Sequence, residues 1–246
     1  MDNCDFYVLI LFNIKMPHLG NNTDSAWLDY RLDIFWRYTL RSLLNQTDNR
    51  MRIWMVCSPN SEKILMPKVE AIGKKYSSVM GNVDFIFDVE EACSHIEGNR
   101  EPIYFLKIDS DDLFHKSVVE KARQTLGSLE GIPMLMFNDG YIYDISSERL
   151  TTYVRWSMPT IAVKFGPGLF NADNFCTRCI CNITKVRDRF KPIIVSGRLV
   201  CCLNHEMNLH ADPRREGMEM EQRTGELPFS YQEMAPAILK EFGVEQ

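Results

Sequence analysis

Over its first 137 residues the chain alternates short apolar runs with amphipathic segments, which predicts an α/β fold with a mainly parallel central sheet flanked by helices. The runs themselves are continuously apolar and rich in β-branched and aromatic residues, as strands covered on both faces are. Beyond residue 137, strand-like runs follow one another with turn signals between them, so the second half reads as mixed. The expectation is one domain over 1–246, with halves at 1–137 and 138–246.

Phe6-Tyr-Val-Leu-Ile-Leu-Phe12 reads as the first buried strand, and the Gly-, Asn- and Pro-rich stretch from residue 16 to 28 as a loop. Leu28, Leu32, Phe35, Trp36, Leu40, Leu43 and Leu44 recur every three or four positions, which predicts a helix with one apolar stripe. Strands are expected at 51–57, 83–87, 103–108 and 134–137, and helices at 62–76, with Pro67 inside, and 118–129. Asn138-Asp139-Gly140 between two apolar runs signals a hairpin, because Asp-Gly accepts positive φ. Strands are then expected at 151–156, 160–165 and 198–203. The charged stretch 211–228 reads as a mobile loop, and Met234, Ile238, Leu239 and Phe242 as the apolar stripe of a closing helix.

With 28 Lys and Arg against 33 Asp and Glu, net charge −5 and no basic run longer than two residues, the chain does not look like a nucleic-acid binder. Its longest apolar stretch is far short of the roughly 20 residues of a membrane span, and no basic residue precedes it as in a secretory signal. A soluble, cytoplasmic protein without a transmembrane segment is expected. The eight cysteines then read as reduced core thiols. A zinc site from Cys176, Cys179, Cys181, Cys201, Cys202 and His205 is the weaker reading, because Cys179, Cys181 and Ile183 alternate as one strand face does.

The most informative feature is Lys107-Ile108-Asp109-Ser110-Asp111-Asp112, at the carboxyl end of an apolar strand, where open α/β sheets collect ligands. Asp109 and Asp111 are so placed that they can share a divalent cation, or divide a metal and a sugar hydroxyl between them. Oxygen ligands of this kind suit Mn2+ or Mg2+, which bind substrate phosphate as well. Lys107, on the strand face of Asp109, can balance charge near a diphosphate. The plain alternative is a solvated turn, with Asp112 capping the following helix.

This layout resembles the GT-A glycosyltransferases, and more narrowly the rhamnosyltransferase family. Three segments carry the likeness: Arg31-Leu32-Asp33-Ile34-Phe35 through Ser42-Leu43-Leu44-Asn45-Gln46-Thr47-Asp48, the acidic segment 107–112, and His205-Glu206-Met207-Asn208. Lys107 stands where the family has Arg, and Glu206 where a small residue is expected. The resemblance implies a GT-A-like fold and a metal-dependent, inverting transfer of a sugar from a nucleotide-diphosphate donor to a glycan or glycoconjugate acceptor. It implies that Asp111 holds the metal directly, that Asp109 holds the ribose or the metal through water, and that His205 is a third metal contact. Arg31 would meet the nucleotide or its phosphates, and Asn13 and Asp84 the base. Without the family, Arg31 reads as a surface ion pair with Asp29 or Asp33, and His205 as a core histidine.

Inversion needs a base for the acceptor hydroxyl. The candidates are Asp173, preferred, then Glu206 and Asp139, and Arg214 and Arg215 are candidates for a closing lid. Two rival readings stand: a haloacid-dehalogenase-type phosphatase with Asp109 as nucleophile, weakened by Leu113, and a nucleotide-sugar-binding protein without catalysis.

Overall fold

The computed structural model describes residues 5–14, 23–73, 82–98, 100–154, 160–180, 188–206 and 229–244. A large sheet has the strand order β10-β6-β9-β4-β1-β2-β3. Its strands are β1 (Phe6–Leu11), β2 (Arg52–Val56), β3 (Val83–Ile86), β4 (Ile103–Ile108), β6 (Met134–Phe137), β9 (Ile161–Phe165) and β10 (Ile193–Val195). Strands β3, β2, β1 and β4 run parallel, β9 runs antiparallel to both its neighbours, and β10 is parallel to β6. This is the architecture the sequence predicts: a parallel first half and a mixed second half.

Alternation along β1 sorts its side chains between two apolar layers. Phe6, Val8 and Ile10 pack with Leu28, Leu32, Phe35 and Trp36 on one face. Tyr7 and Leu9 pack with Trp54, Phe105, Phe165 and Phe175 on the other. Helix α1 (Ser25–Ile34) runs through a π-helical turn (Phe35–Thr39) into α2 (Leu40–Leu44); the helix starts earlier than Leu28, with Asp24 as N-cap, and buries the expected stripe from Leu28 to Leu43, while Leu44, expected in it, is exposed. Helix α3 (Glu62–Gly73) tolerates Pro67, and α5 (Val118–Gly127) lies against the face of Phe6. Helix α4 (Val89–Ser94), capped by Asp88, is too short to show a periodicity in sequence.

A second sheet has the order β5-β11-β7-β8, from β5 (Asp112–Phe114), β7 (Asp139–Asp144), β8 (Arg149–Val154) and β11 (Val200–Asn204). The expected hairpin at Asn138-Asp139-Gly140 is not formed: the chain there passes from β6 in the large sheet to β7 in the small one. Gly140 is required by close approach rather than by positive φ, since a Cβ on it would lie 2.2 Å from the Val200 carbonyl oxygen. The hairpin turns one strand later, between β7 and β8, where Asp144 accepts from Ser146 and Ser147 and Glu148 takes φ 53°. Asp112 opens β5 rather than capping α5, and Ser117 occupies the cap position.

The C-terminal helix (Phe229–Glu241) covers the small sheet with Ala235, Leu239 and Phe242, while Met234, expected in its stripe, is exposed. Cys176–Ile180 forms a π-helical turn, not a strand, with Cys179 buried against the Trp54 face and Cys201 buried in the small-sheet core. Cys181, Ile183 and the stretch 211–228, including Arg214 and Arg215, lie outside the described residues. Among the described residues no helix is long and apolar enough to cross a membrane.

Candidate functional site

Three elements meet at the carboxyl end of β4. The strand ends at Ile108, and Asp109-Ser110-Asp111 forms a turn that leads at once into β5. Strand β11 pairs antiparallel with β5, Cys202 opposite Asp112, so the residues after Cys202 run back alongside the turn. That register delivers His205 to Asp111, with Nε2 3.1 Å from Asp111 Oδ2. Asn204, one residue before, is anchored to the Asp144 carboxylate.

Helix α1 supplies the third component. Its acids are engaged elsewhere, Asp29 with Lys68 at 2.6 Å and Asp33 with Arg37 at 3.1 Å. Arg31 therefore does not make the surface pair that its neighbours offer. It turns inward, donates from Nη1 to Asp111 Oδ2 at 2.6 Å and from Nη2 to Ser110 Oγ, and has Nη1 3.4 Å from His205 Nε2. The Trp27 ring lies 5.7 Å from the guanidinium carbon. The π-helical turn just after Arg31 locks the arrangement, because Thr39 Oγ1 donates to the Ser110 carbonyl at 2.9 Å.

The cluster is nearly dry: the side chains of Arg31, Asp111 and His205 are 11%, 12% and 2% exposed. Burial pushes the Asp111 carboxyl up, but the Arg31 charge and hydrogen bonds from His205 and Arg31 outweigh it and hold Asp111 well below the usual carboxylate range. Burial works against the Arg31 charge as well, and Asp111, with Asp109 and Asp112 behind it, more than restores it. Tyr30 packs on the His205 ring, centroids 5.4 Å apart, and its hydroxyl is shifted up by burial and then by the Glu206 charge. Among the described residues, two buried nitrogens here, Arg31 Nε and His205 Nδ1, have no hydrogen-bond partner. Such orphans cost about 1–3 kcal/mol each.

The structure thus brings together Arg31, Asp111 and His205, with Asp109 on the same turn. Lys107 is buried within β4, between Leu9 and Ile161. Asn13 lies at the same edge of the sheet but ties β1 to β2, its Oδ1 accepting from the Ser58 N–H at 2.9 Å. Asp84 is held by both oxygens on Arg52, at 2.9 and 2.7 Å. Asp173 is not in the cluster. Strand β9 runs against β4, Phe165 opposite Ile103, so the chain leaves it at the end of the sheet away from Asp111, and Asp173 follows there in α6 (Ala172–Phe175). The Asp139 carboxylate caps the Gly197 and Arg198 N–H groups at 3.0–3.3 Å. Glu206 is exposed beside His205. Sequence reasoning missed Ser110, Thr39 and Tyr30. Ser110 lies inside the acidic motif, while the other two are signalled only by their neighbourhood to Arg31 and to the helix that carries it.

Among the described residues no group of three or more His, Cys, Asp or Glu side chains is arranged to hold a metal ion. Asp111 Oδ2 and His205 Nε2 are 3.1 Å apart, at hydrogen-bonding distance. Arg31 supplies the positive charge at that position.

No curated protein matches the chain. Among solved structures it is similar to S. aureus TarS, at 13% identity over 81% of this chain and 37% of that one with a TM-score of 0.44. For residues 1–349 of the same protein the values are 16%, 57%, 36% and 0.34. It is also similar to a 4-diphosphocytidyl-2C-methyl-D-erythritol synthase from Anaerococcus prevotii, at 11% identity over 96% of both chains with a TM-score of 0.36. The chain spans little more than a third of the two TarS chains. Residues 22–173, well over half of the chain, match the family described as “Putative rhamnosyl transferase”, and the chain belongs to that family.

Proposed function

We propose that the protein transfers rhamnose from a nucleotide-diphosphate donor to a hydroxyl group of a glycan or glycoconjugate, with inversion at the anomeric carbon. The observation that carries this reading is the convergence of Arg31, Asp111 and His205 on one buried point at the carboxyl end of β4. Cleaving the bond between the sugar C1 and the diphosphate leaves negative charge on the departing phosphate oxygen. The Arg31 guanidinium, a planar fork suited to phosphate oxygens, meets that charge. Asp109, at the mouth of the turn, accepts from a ribose hydroxyl. Asp111 and His205 would hold Mn2+ or Mg2+, which when bound supplies further positive charge to the diphosphate. Glu206 takes the proton from the acceptor hydroxyl as its oxygen bonds to C1, since Asp173 lies at the other end of the sheet and Asp139 is engaged with backbone.

The test is incubation with rhamnose, glucose and mannose nucleotides, Mn2+ and a set of tagged glycan acceptors, with product read by mass spectrometry and donor hydrolysis by nucleoside-diphosphate release. A deoxyhexose increment from the rhamnose donor, lost in Glu206→Gln, is expected. Nucleotide binding with neither transfer nor donor hydrolysis would favour a binding protein instead.

A further inference from the structure

The β10 edge of the large sheet joins exposed apolar side chains to a local excess of positive charge. From Arg178 to Arg198 the sequence holds six Lys and Arg against one acid, Asp188, in a chain whose net charge is −5. Arg178, Arg189, Lys191 and Arg198 lie among the described residues, and the last three are exposed. Phe190 packs against the core below and carries two of these charges, the Arg178 guanidinium 4.5 Å and that of Arg189 5.2 Å from its ring centroid. Lys121 adds another from α5, its Nζ 3.4 Å from where a Cβ on Gly197 would stand. Two acids lie at this edge: Asp188, and Asp139, whose carboxylate is engaged by the Gly197 and Arg198 N–H groups.

Between these cations the strand itself is apolar. Ile193 and Ile194 are 46% and 39% exposed. Successive strand residues point to opposite faces, so exposure of both leaves neither face of the strand covered. An open hollow of about 370 Å³, lined by Asp188, Lys191, Pro192 and Ile194, adjoins it. Lys191 at φ 46° and Arg198 at φ 54° bracket the strand, left-handed conformations that cost free energy outside glycine and that set a cation at each end of the isoleucines.

We propose that this edge docks on an anionic phospholipid surface, Ile193 and Ile194 entering the headgroup boundary while Arg189, Lys191 and Arg198 meet the lipid phosphates. The combination of groups selects that partner. A nucleic acid would answer the cations but offers nothing to two exposed aliphatic side chains. A second copy paired through β10 would cover the isoleucines, but two-fold symmetry would set one cluster of cations against the other, and Lys on an edge strand opposes such pairing. An anionic bilayer takes up both the apolar and the charged groups. Strand β10 lies three strands from β4, about 14 Å across the sheet, so the docked surface lies near the strand that carries Asp109 and Asp111. The contact is independent of the sugar-transfer reading and is measured without donor or acceptor.

The test is co-sedimentation of the full chain with vesicles of phosphatidylcholine alone and of phosphatidylcholine with phosphatidylglycerol, at low and at physiological salt, with sedimentation velocity on the protein by itself. Wild type binds the anionic vesicles at least tenfold more tightly than the neutral ones, and less tightly as salt is raised. Arg189→Glu with Lys191→Glu binds them at least tenfold more weakly, since each cation near such a surface contributes about fivefold. Ile193→Ser with Ile194→Ser binds severalfold more weakly at either salt. Thermal melting verifies that both variants fold, and if one does not, the other decides. Equal binding to the two kinds of vesicle, or wild-type binding by either folded variant, overturns the proposal. A wild-type dimer that the serine variant converts to monomer overturns it in favour of a second copy. Binding to a single-stranded oligonucleotide but not to the vesicles overturns it in favour of a nucleic acid.

Discussion

Asp111 and His205 are 94 positions apart in the chain, yet Oδ2 of one lies 3.1 Å from Nε2 of the other. The antiparallel pairing of β5 with β11 makes the contact, because it fixes Cys202 opposite Asp112 and sends the next residues past the turn. The site is therefore as exact as the small sheet that builds it, and several consequences can be measured.

Gly140→Ala would test that dependence. The added Cβ would meet the Val200 carbonyl oxygen at 2.2 Å and the Tyr153 hydroxyl at 2.8 Å, forcing β7 away from β11. Overpacking of this kind costs about 1–3 kcal/mol. Denaturant unfolding should show that loss, and nucleotide binding should weaken with it, since β11 carries His205. A stable variant with weakened binding would still support the link; unchanged stability and binding would contradict it.

Arg123→Met separates the framework from the site. Arg123 bonds Asp48 at 2.9 Å, Asp5 at 2.6 Å and the Arg50 carbonyl at 2.9 Å, and covers the rings of Phe6 and Tyr104. Its loss should destabilise the fold by about 2 kcal/mol, within the range for hydrogen bonds to charged groups. Nucleotide affinity of the folded variant should stay at the wild-type value.

His115 sets a pH dependence. Burial, against the pull of Glu241, holds its imidazole below its ordinary value of 6.5, so the unfolded chain takes up this proton at a pH where the folded chain does not. Stability is then intact above the unfolded value and falls as pH drops toward the folded one. His115→Asn keeps an acceptor for the Ser117 N–H and removes the titration. The stability of wild type relative to the variant should decline between about pH 7 and pH 5; a rise over that range would contradict a lowered folded-state value for His115.

Glu206→Gln should lower turnover by about 10^2- to 10^4-fold, the span of general-base contributions, with little change in KM for the donor. Asp173→Asn should leave turnover as it is. Equal losses in the two variants would point away from Glu206 as the base.

Much of this was legible in sequence because it rests on local pattern. The alternation of Phe6 to Leu11 between two cores and the stripe from Leu28 both follow from one element's own periodicity. The acidic turn announced itself by following an apolar strand. The rest depends on how elements meet. Where Asp173 lies relative to Asp111 follows from the antiparallel direction of β9, which no local pattern announces. Asp139-Gly140 has hairpin chemistry, yet the glycine serves a close strand approach and the aspartate caps the loop before β11. Gln46 and Thr47, part of the family-like helix segment, are structural: Gln46 bonds the Ser42 and His115 carbonyls and the Val119 N–H, and Thr47 the Lys116 carbonyl. Arg31, in the same segment, goes to the site. Spacing alone does not distinguish them.

The measurement closest to the central claim is calorimetric titration of UDP, dTDP and GDP into wild type and Asp111→Asn, with and without Mn2+. Asp111→Asn removes the charge facing a buried guanidinium, and breaking such a pair costs about 3 kcal/mol or more, so folding is first verified by thermal melting. The account predicts that wild type binds one of the diphosphates, more tightly with Mn2+, and that the folded variant loses the Mn2+-dependent part. Binding of equal strength in both proteins, or in neither, would contradict it.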